Sequence, residues 1–252
     1  MKTQILTTTF LLLFFSACQK TTTTYTNDPG NANYLHNRPV GAAAYEMLSD
    51  AAYKSIKIEI QYMTGYAPDA AALSHLQNVL NTYVNKPSGI TIVTKEISAS
   101  PSQTLTIDQV RNIEEQNRTV FTVSDQLGVY MLFTNGYFTD NNVLGAAYRN
   151  TSVVVFGKNV YDNSGGFGQV SRTKLEATVT EHEFGHMLGL VDIGSPMQTN
   201  HKDAVHGSHC NNSNCLMYYA SDTRDILGFL LTGNIPSFDA NCIDDIRANG
   251  GK

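Results

Sequence analysis

Glu181-His182-Glu183-Phe184-Gly185-His186-Met187-Leu188-Gly189-Leu190-Val191-Asp192 is the stretch on which the reading of this chain turns. His182 and His186 are four residues apart, so on a helix their imidazoles leave one face at adjacent turns. Two neutral ring nitrogens at that spacing can reach a single Zn²⁺ at about 2.1 Å. Glu183 follows His182 directly, where its carboxylate reaches a water on the metal rather than the metal itself and can act as general base. Leu175, Val179, His182, His186 and Leu190 form one helical stripe, and Phe184 and Leu188 lie on another that can anchor the helix in a core. Gly189 can adopt positive φ, end the helix and fold the chain back beneath the metal. The competing reading is a buried helix whose histidines merely hydrogen-bond.

Working downstream, the third ligand decides the class. No Glu follows Glu183, which closes the option of a glutamate on a later helix and leaves His201, His206, His209 and several aspartates. The pattern H-E-x-x-H-x-x-G resembles the metzincins, zinc endopeptidases whose third ligand lies three residues past the glycine. Here that position is Asp192, as in snapalysin-like members. A second run, His209-Cys210-Asn211-Asn212-Ser213-Asn214-Cys215-Leu216-Met217, is similar to the H-C-x(4)-C-x-M run of archaemetzincins, whose leading His is the third ligand. On that alignment Asp192 to Ser208 is an insertion and Asp192 serves as an outer acceptor for a ligand imidazole. His209 is the favoured ligand, with Asp192 as the alternative and His201 or His206 after them. The resemblance also implies that Met217 is the Met-turn methionine under the metal. It implies as well that Tyr219 approaches the zinc as it does in astacin- and serralysin-like members, where its phenol could donate to a developing oxyanion.

The resemblance to archaemetzincins implies a second, structural zinc on four cysteines, but this chain lacks the later C-x-x-C. In an oxidising compartment a disulfide is then expected among Cys210, Cys215 and Cys242.

Upstream, helical and extended patterns alternate. Helices are expected over 41–52, 69–84 and 107–117, and strands over 54–63, 90–97, 127–133 and, broken near Arg149-Asn150, within 143–156. A Gly-rich loop at 165–168 precedes the helix that starts at Arg172. The expected fold class is therefore α/β (α+β), zincin- or metzincin-like, with a mixed twisted sheet, an active-site helix and a small C-terminal subdomain holding the Met-turn.

At the N-terminus, Lys2 precedes an apolar run from Ile5 to Phe15, too short to span a bilayer in the mature protein. Phe15-Ser16-Ala17-Cys18 resembles the lipobox of bacterial lipoproteins, which implies acylation of Cys18. The Gln after it favours the outer membrane of a Gram-negative cell. Residues 1–17 are then a signal peptide, 18–38 an acylated tether, and 39–252 the metalloprotease domain, with lobes meeting near residue 189.

The 252 residues are 42% hydrophobic and 15% charged, with formal net charge −5. That excludes wholesale disorder and a nucleic-acid partner held by phosphate neutralisation. The expected function is peptide-bond hydrolysis of a protein or peptide substrate, with one catalytic Zn²⁺ and a membrane contact through the lipid anchor. The alternative is a non-catalytic envelope lipoprotein that binds protein or glycan on the same fold.

Overall fold

The computed structural model describes residues 35–252; the expected signal peptide, the expected acylation site Cys18 and most of the expected tether lie outside them. The chain runs α1 (Ala44–Leu48), β1 (Ser55–Met63), α2 (Ala70–Tyr83), β2 (Ile90–Ile97), β3 (Thr104–Leu105), α3 (Ile107–Asn117), β4 (Gln126–Phe133) and β5 (Tyr137–Phe138). It continues through β6 (Gly145–Arg149), β7 (Ser152–Val155), α4 (Gly157–Asp162), α5 (Arg172–Met187), α6 (Leu227–Thr232) and α7 (Ala240–Ala248). Two short 3₁₀ turns, Tyr219–Asp222 and Arg224–Ile226, precede α6.

The main sheet has the order β2-β1-β4-β7-β6, parallel except for β6, which is antiparallel to β7. The mixed sheet is as expected, and its composition explains it. β4 reads Gln-Leu-Gly-Val-Tyr-Met-Leu-Phe and is buried on both faces from Leu127 onward, as a central parallel strand must be. β6 and β7 turn through Asn150 and Thr151, so β6 becomes an edge strand running against the rest.

α2 starts where expected because Asp69 accepts from the backbone N–H groups of Ala71 and Ala72. α3 opens with a capping box between Thr106 and Gln109. The first helix is shorter than the Ala-rich pattern suggested and stops at Leu48. Ser49 is extended there, and the Lys86 ammonium donates to the carbonyls of Glu46, Ser49 and Tyr53. A cation at a helix C-terminus satisfies carbonyls that have no intrahelical donor.

α5 is the centre of the molecule. Every residue from Leu175 to Met187 is buried, polar ones included, so this helix shows little of the amphipathic stripe expected of a surface helix. One core cluster joins β1, β4 and α2 to α5 and continues into Leu216, Met217, Phe238 and Ile246. Burying each such Leu, Ile or Phe contributes on the order of 1.5–3 kcal/mol. The segment after the glycine turn therefore shares one apolar interior with the helix.

Candidate metal centre

α5 ends where the sequence says it should. Gly189 has φ +76°, its N–H donates to the His186 carbonyl, and the Leu190 N–H reaches back to Gly185. A Cβ at Gly189 would lie 2.5 Å from the Ser195 nitrogen, so both the dihedral and the space require glycine. Beneath the helix, a Cβ on Gly185 would collide with the Met217 sulfur. Met217 is thus packed directly under the turn that carries His182 and His186.

The two helix histidines bring Nε2 atoms to 3.1 Å of each other. His209 completes the group, its ring stacked at 5.3 Å from His182 and edge-on at 5.1 Å from His186. The ligand-type nitrogens of all three lie within 4.8 Å of one another. The tautomers follow from the partners. His182 Nδ1–H donates to the Leu216 carbonyl at 2.7 Å, and His209 Nδ1–H donates to the His206 carbonyl at 2.7 Å. A carbonyl only accepts, so in each neutral ring Nε2 carries a lone pair.

Burial lowers the pKa of His182 to about 4 and holds His186 well below its ordinary value, with His182 and His209 adding to the effect. His209 is lowered too, by burial and then by His182. His182 and His209 thus turn bare Nε2 atoms into the group, where His186 Nε2 lies within hydrogen-bond distance of His182 Nε2 and His209 Nε2 has no hydrogen-bond partner at all. This donor set fits a zinc ion.

Glu183 lies on the same side. The Ala147 N–H of edge strand β6 donates to Glu183 Oε2 at 2.6 Å, while Oε1 is buried without a partner. The close approach is possible because Gly145 has no side chain, where a Cβ would fall 2.9 Å from that Oε1. Burial raises the Glu183 pKa well above its usual value, and the Asp222 carboxylate raises it further.

Asp222 was not singled out in the sequence. Its Oδ2 is 4.0 Å from His182 Nε2, its Oδ1 is buried and unpartnered, and burial raises its pKa to about 6. It groups with His182 and Glu183 within metal-binding distances. A lone Asp in a 3₁₀ turn carries no spacing signal. Its only hint is its place five residues beyond Met217.

The other expected residues are placed elsewhere. Asp192 points outward, 58% exposed, and pairs with Lys202 at 3.3 Å, so the structure brings His209 rather than Asp192 to the helix imidazoles. Asp192 and Val191 both have positive φ, which explains the outward turn of the side chain. His206 bonds Asp203 and lies flat against Tyr219, with ring centroids 3.7 Å apart. The Tyr219 ring is therefore engaged at the loop surface.

The disulfide expected among Cys210, Cys215 and Cys242 is not formed. All three thiols are free and buried, and Cys215 Sγ is 3.6 Å from Cys242 Sγ, far beyond the S–S bond of about 2.05 Å. His201 lies beside them, its Nδ1 3.3 Å from Cys210 Sγ and 3.9 Å from Cys242 Sγ, and the Asp239 carboxylate completes with His201, Cys210 and Cys242 a group whose ligand-type atoms lie within 4.8 Å of one another. The His201 Nε2–H donates to Asp245 Oδ2 at 2.8 Å, which turns the Nδ1 lone pair towards the sulfurs. Hydrogen bonds from Cys215 and Cys242 hold the Cys210 thiol far below its ordinary range, and the backbone N–H groups of Met217 and Asp239 donate to Cys215 Sγ. Separations near 3.6 Å match the roughly 3.8 Å tetrahedral edge set by Zn–S bonds of about 2.3 Å. The sequence signal was present, three Cys and one His within 42 residues, but the export reading directed it towards oxidation.

No curated protein matches the chain in sequence. Among solved structures it is similar to the archaemetzincin of Methanopyrus kandleri, with a TM-score of 0.51 and 16% identity, over 78% of this chain and 96% of that one. At that identity the likeness speaks for the fold, and it agrees with the mixed sheet, the buried helix and the glycine turn described above. The family described as Reprolysin_5, Metallo-peptidase family M12, matches residues 49–229, a span that takes in the sheet, α5, His209 and Asp222. The match extends over well more than half of the sequence, and the chain belongs to metallo-peptidase family M12.

Proposed function

We propose that this metallopeptidase is a zinc endopeptidase in which His182, His186 and His209 hold the metal and Glu183 is the general base. The observation that carries this reading is the convergence of three imidazole nitrogens beside a carboxylate that keeps one oxygen unpartnered. A bound zinc supplies Lewis acidity towards a water molecule and a scissile carbonyl. Glu183 takes a proton from the attacking water through its free Oε1 and passes it to the leaving amine. The Ala147 N–H fixes the other oxygen, so the carboxylate does not rotate away between the two transfers. Asp222 is the second carboxylate of the centre, beside Glu183 and His182. Burial raises the pKa of both acids, that of Asp222 to about 6, as is common for carboxyls at functional sites.

Substrate binds as an added strand along the free edge of β6, where Ala146 and Ala147 leave room for an extended chain. His201, Cys210, Asp239 and Cys242 hold a second, structural zinc with Cys215 beside it, so the count is two ions rather than one. Cys18 is the acylated anchor that tethers the domain to the outer membrane. The test is hydrolysis of unfolded casein by the purified protein with and without chelator. Chelator-sensitive cleavage is the expected outcome. Zinc-loaded protein with no cleavage would instead favour the binding-only reading.

A further inference from the structure

The thiol–imidazole cluster touches the catalytic centre through the chain itself. Cys210 directly follows His209, and Cys215 directly precedes Leu216, whose carbonyl holds the His182 ring. The segment bearing His209 is short of other anchors. Residues 203–208 are polar apart from Ala204 and Val205, and Val205 is 81% exposed. Gly207 has φ +73° with nothing near its Cβ position.

What holds His209 in place is a small antiparallel ladder. The Asp203 N–H donates to the His209 carbonyl at 2.7 Å, and the Asn211 N–H donates to the His201 carbonyl at 2.8 Å. Lys202 and Cys210 form the bridge between these two bonds. The ladder is pinned at both ends by cluster members, His201 on one strand and Cys210 on the other. A third bond, Cys210 N–H to the Met217 carbonyl at 2.7 Å, ties it to the residue under α5.

We infer that the centre formed by His201, Cys210, Asp239 and Cys242, with Cys215 against it, is a positioning device for catalysis, whose metal occupancy sets the affinity of the catalytic site by fixing His209 and the carbonyl that orients His182. This rests on the two-zinc reading above and adds a thermodynamic link between the two sites. Such a link is reciprocal, so catalytic zinc also tightens the second centre. His201 gives the device its reach, because it belongs to the segment between the glycine turn and His209.

The test uses the full-length protein loaded with zinc or cobalt. Wild type is expected to bind two zinc ions, and its cobalt form to show thiolate-to-cobalt charge-transfer bands from the second centre alone. His201→Ala is expected to lose those bands and one zinc. Its remaining histidine-bound metal is expected to pass to a competing chelator about tenfold or more readily, as for loss of groups that orient ligands. Asp245→Asn, which perturbs His201 from outside the cluster, gives the same trend should His201→Ala not fold. A folded variant that loses the charge-transfer bands yet keeps catalytic metal with wild-type affinity would overturn the link. Wild type carrying one zinc on histidines and three freely reactive thiols would overturn the second centre. Wild type that takes up no zinc would refute the zinc endopeptidase assignment instead.

Discussion

Glu183 and Asp222 are two buried carboxylates facing one cluster of imidazoles, and single substitutions separate their roles. Glu183→Ala is expected to retain zinc, measured by atomic absorption, while turnover falls by about 10²–10⁴-fold. His182→Ala should lose both. Tyr219→Phe is expected to leave turnover within about twofold, because that ring lies against His206 at the loop surface; a fall of about 10²-fold or more would instead mark the phenol as an oxyanion donor. Asp222→Ala is expected to lower kcat by more than Tyr219→Phe does. Equal kcat in the two variants would remove Asp222 from the centre. At this scale the helix pair was legible because a four-residue spacing on a helix dictates one face, and the H-C-x(4)-C-x-M run favoured His209, which the fold brings to that pair. What the sequence did not show is the left-handed backbone at Val191 and Asp192 that turns Asp192 outward, which neither residue type favours.

Among the elements, α5 and its terminator carry the largest local consequences. Gly189→Ala meets both a positive φ and the Ser195 nitrogen, and is expected to cost roughly 1–3 kcal/mol, read as a lower urea midpoint. Higher up the same helix, Glu176 is buried, accepts from the Asp69 N–H at 2.6 Å, and has its pKa raised to about 7 by burial. A carboxyl that binds its proton more tightly in the folded state stabilises the fold most below its unfolded pKa. Stability is therefore expected to decline as pH rises from about 4.5 to about 7, by as much as ~3 kcal/mol. Glu176→Gln should flatten that decline in denaturation midpoints measured across the range, and an unchanged slope would refute the assignment. Strands β1, β2 and β4 and helices α2 and α3 were readable from period and caps. The all-round burial of α5 was not, because its Thr and Glu residues make the helix look polar in sequence while its place between sheet and C-terminal segment buries them.

On the scale of the whole molecule, the chain after Gly189 is neither an appendage nor a disulfide-stapled lobe. Its apolar residues enter the same core as the sheet, and its thiols are reduced. Chelator strong enough to strip both ions is accordingly expected to lower the thermal midpoint of the whole protein in a single transition, seen by calorimetry. Reductant alone should leave the midpoint unchanged. A midpoint that falls on reduction would restore the disulfide. The odd cysteine count pointed to oxidation because export predicts it, whereas a histidine that reads as a loop residue in sequence is, once folded, the neighbour of two of the three sulfurs.

One bond ties these scales together. The carboxylate proposed as general base accepts from the backbone amide of Ala147, within the edge strand proposed to receive an extended chain. On that reading, a guest peptide that seats out of step with β6 and displaces it is expected to draw the acid out of line in the same movement. Alignment and proton delivery would then answer to a single mechanical part, and a poorly fitting chain is expected to be cleaved more slowly.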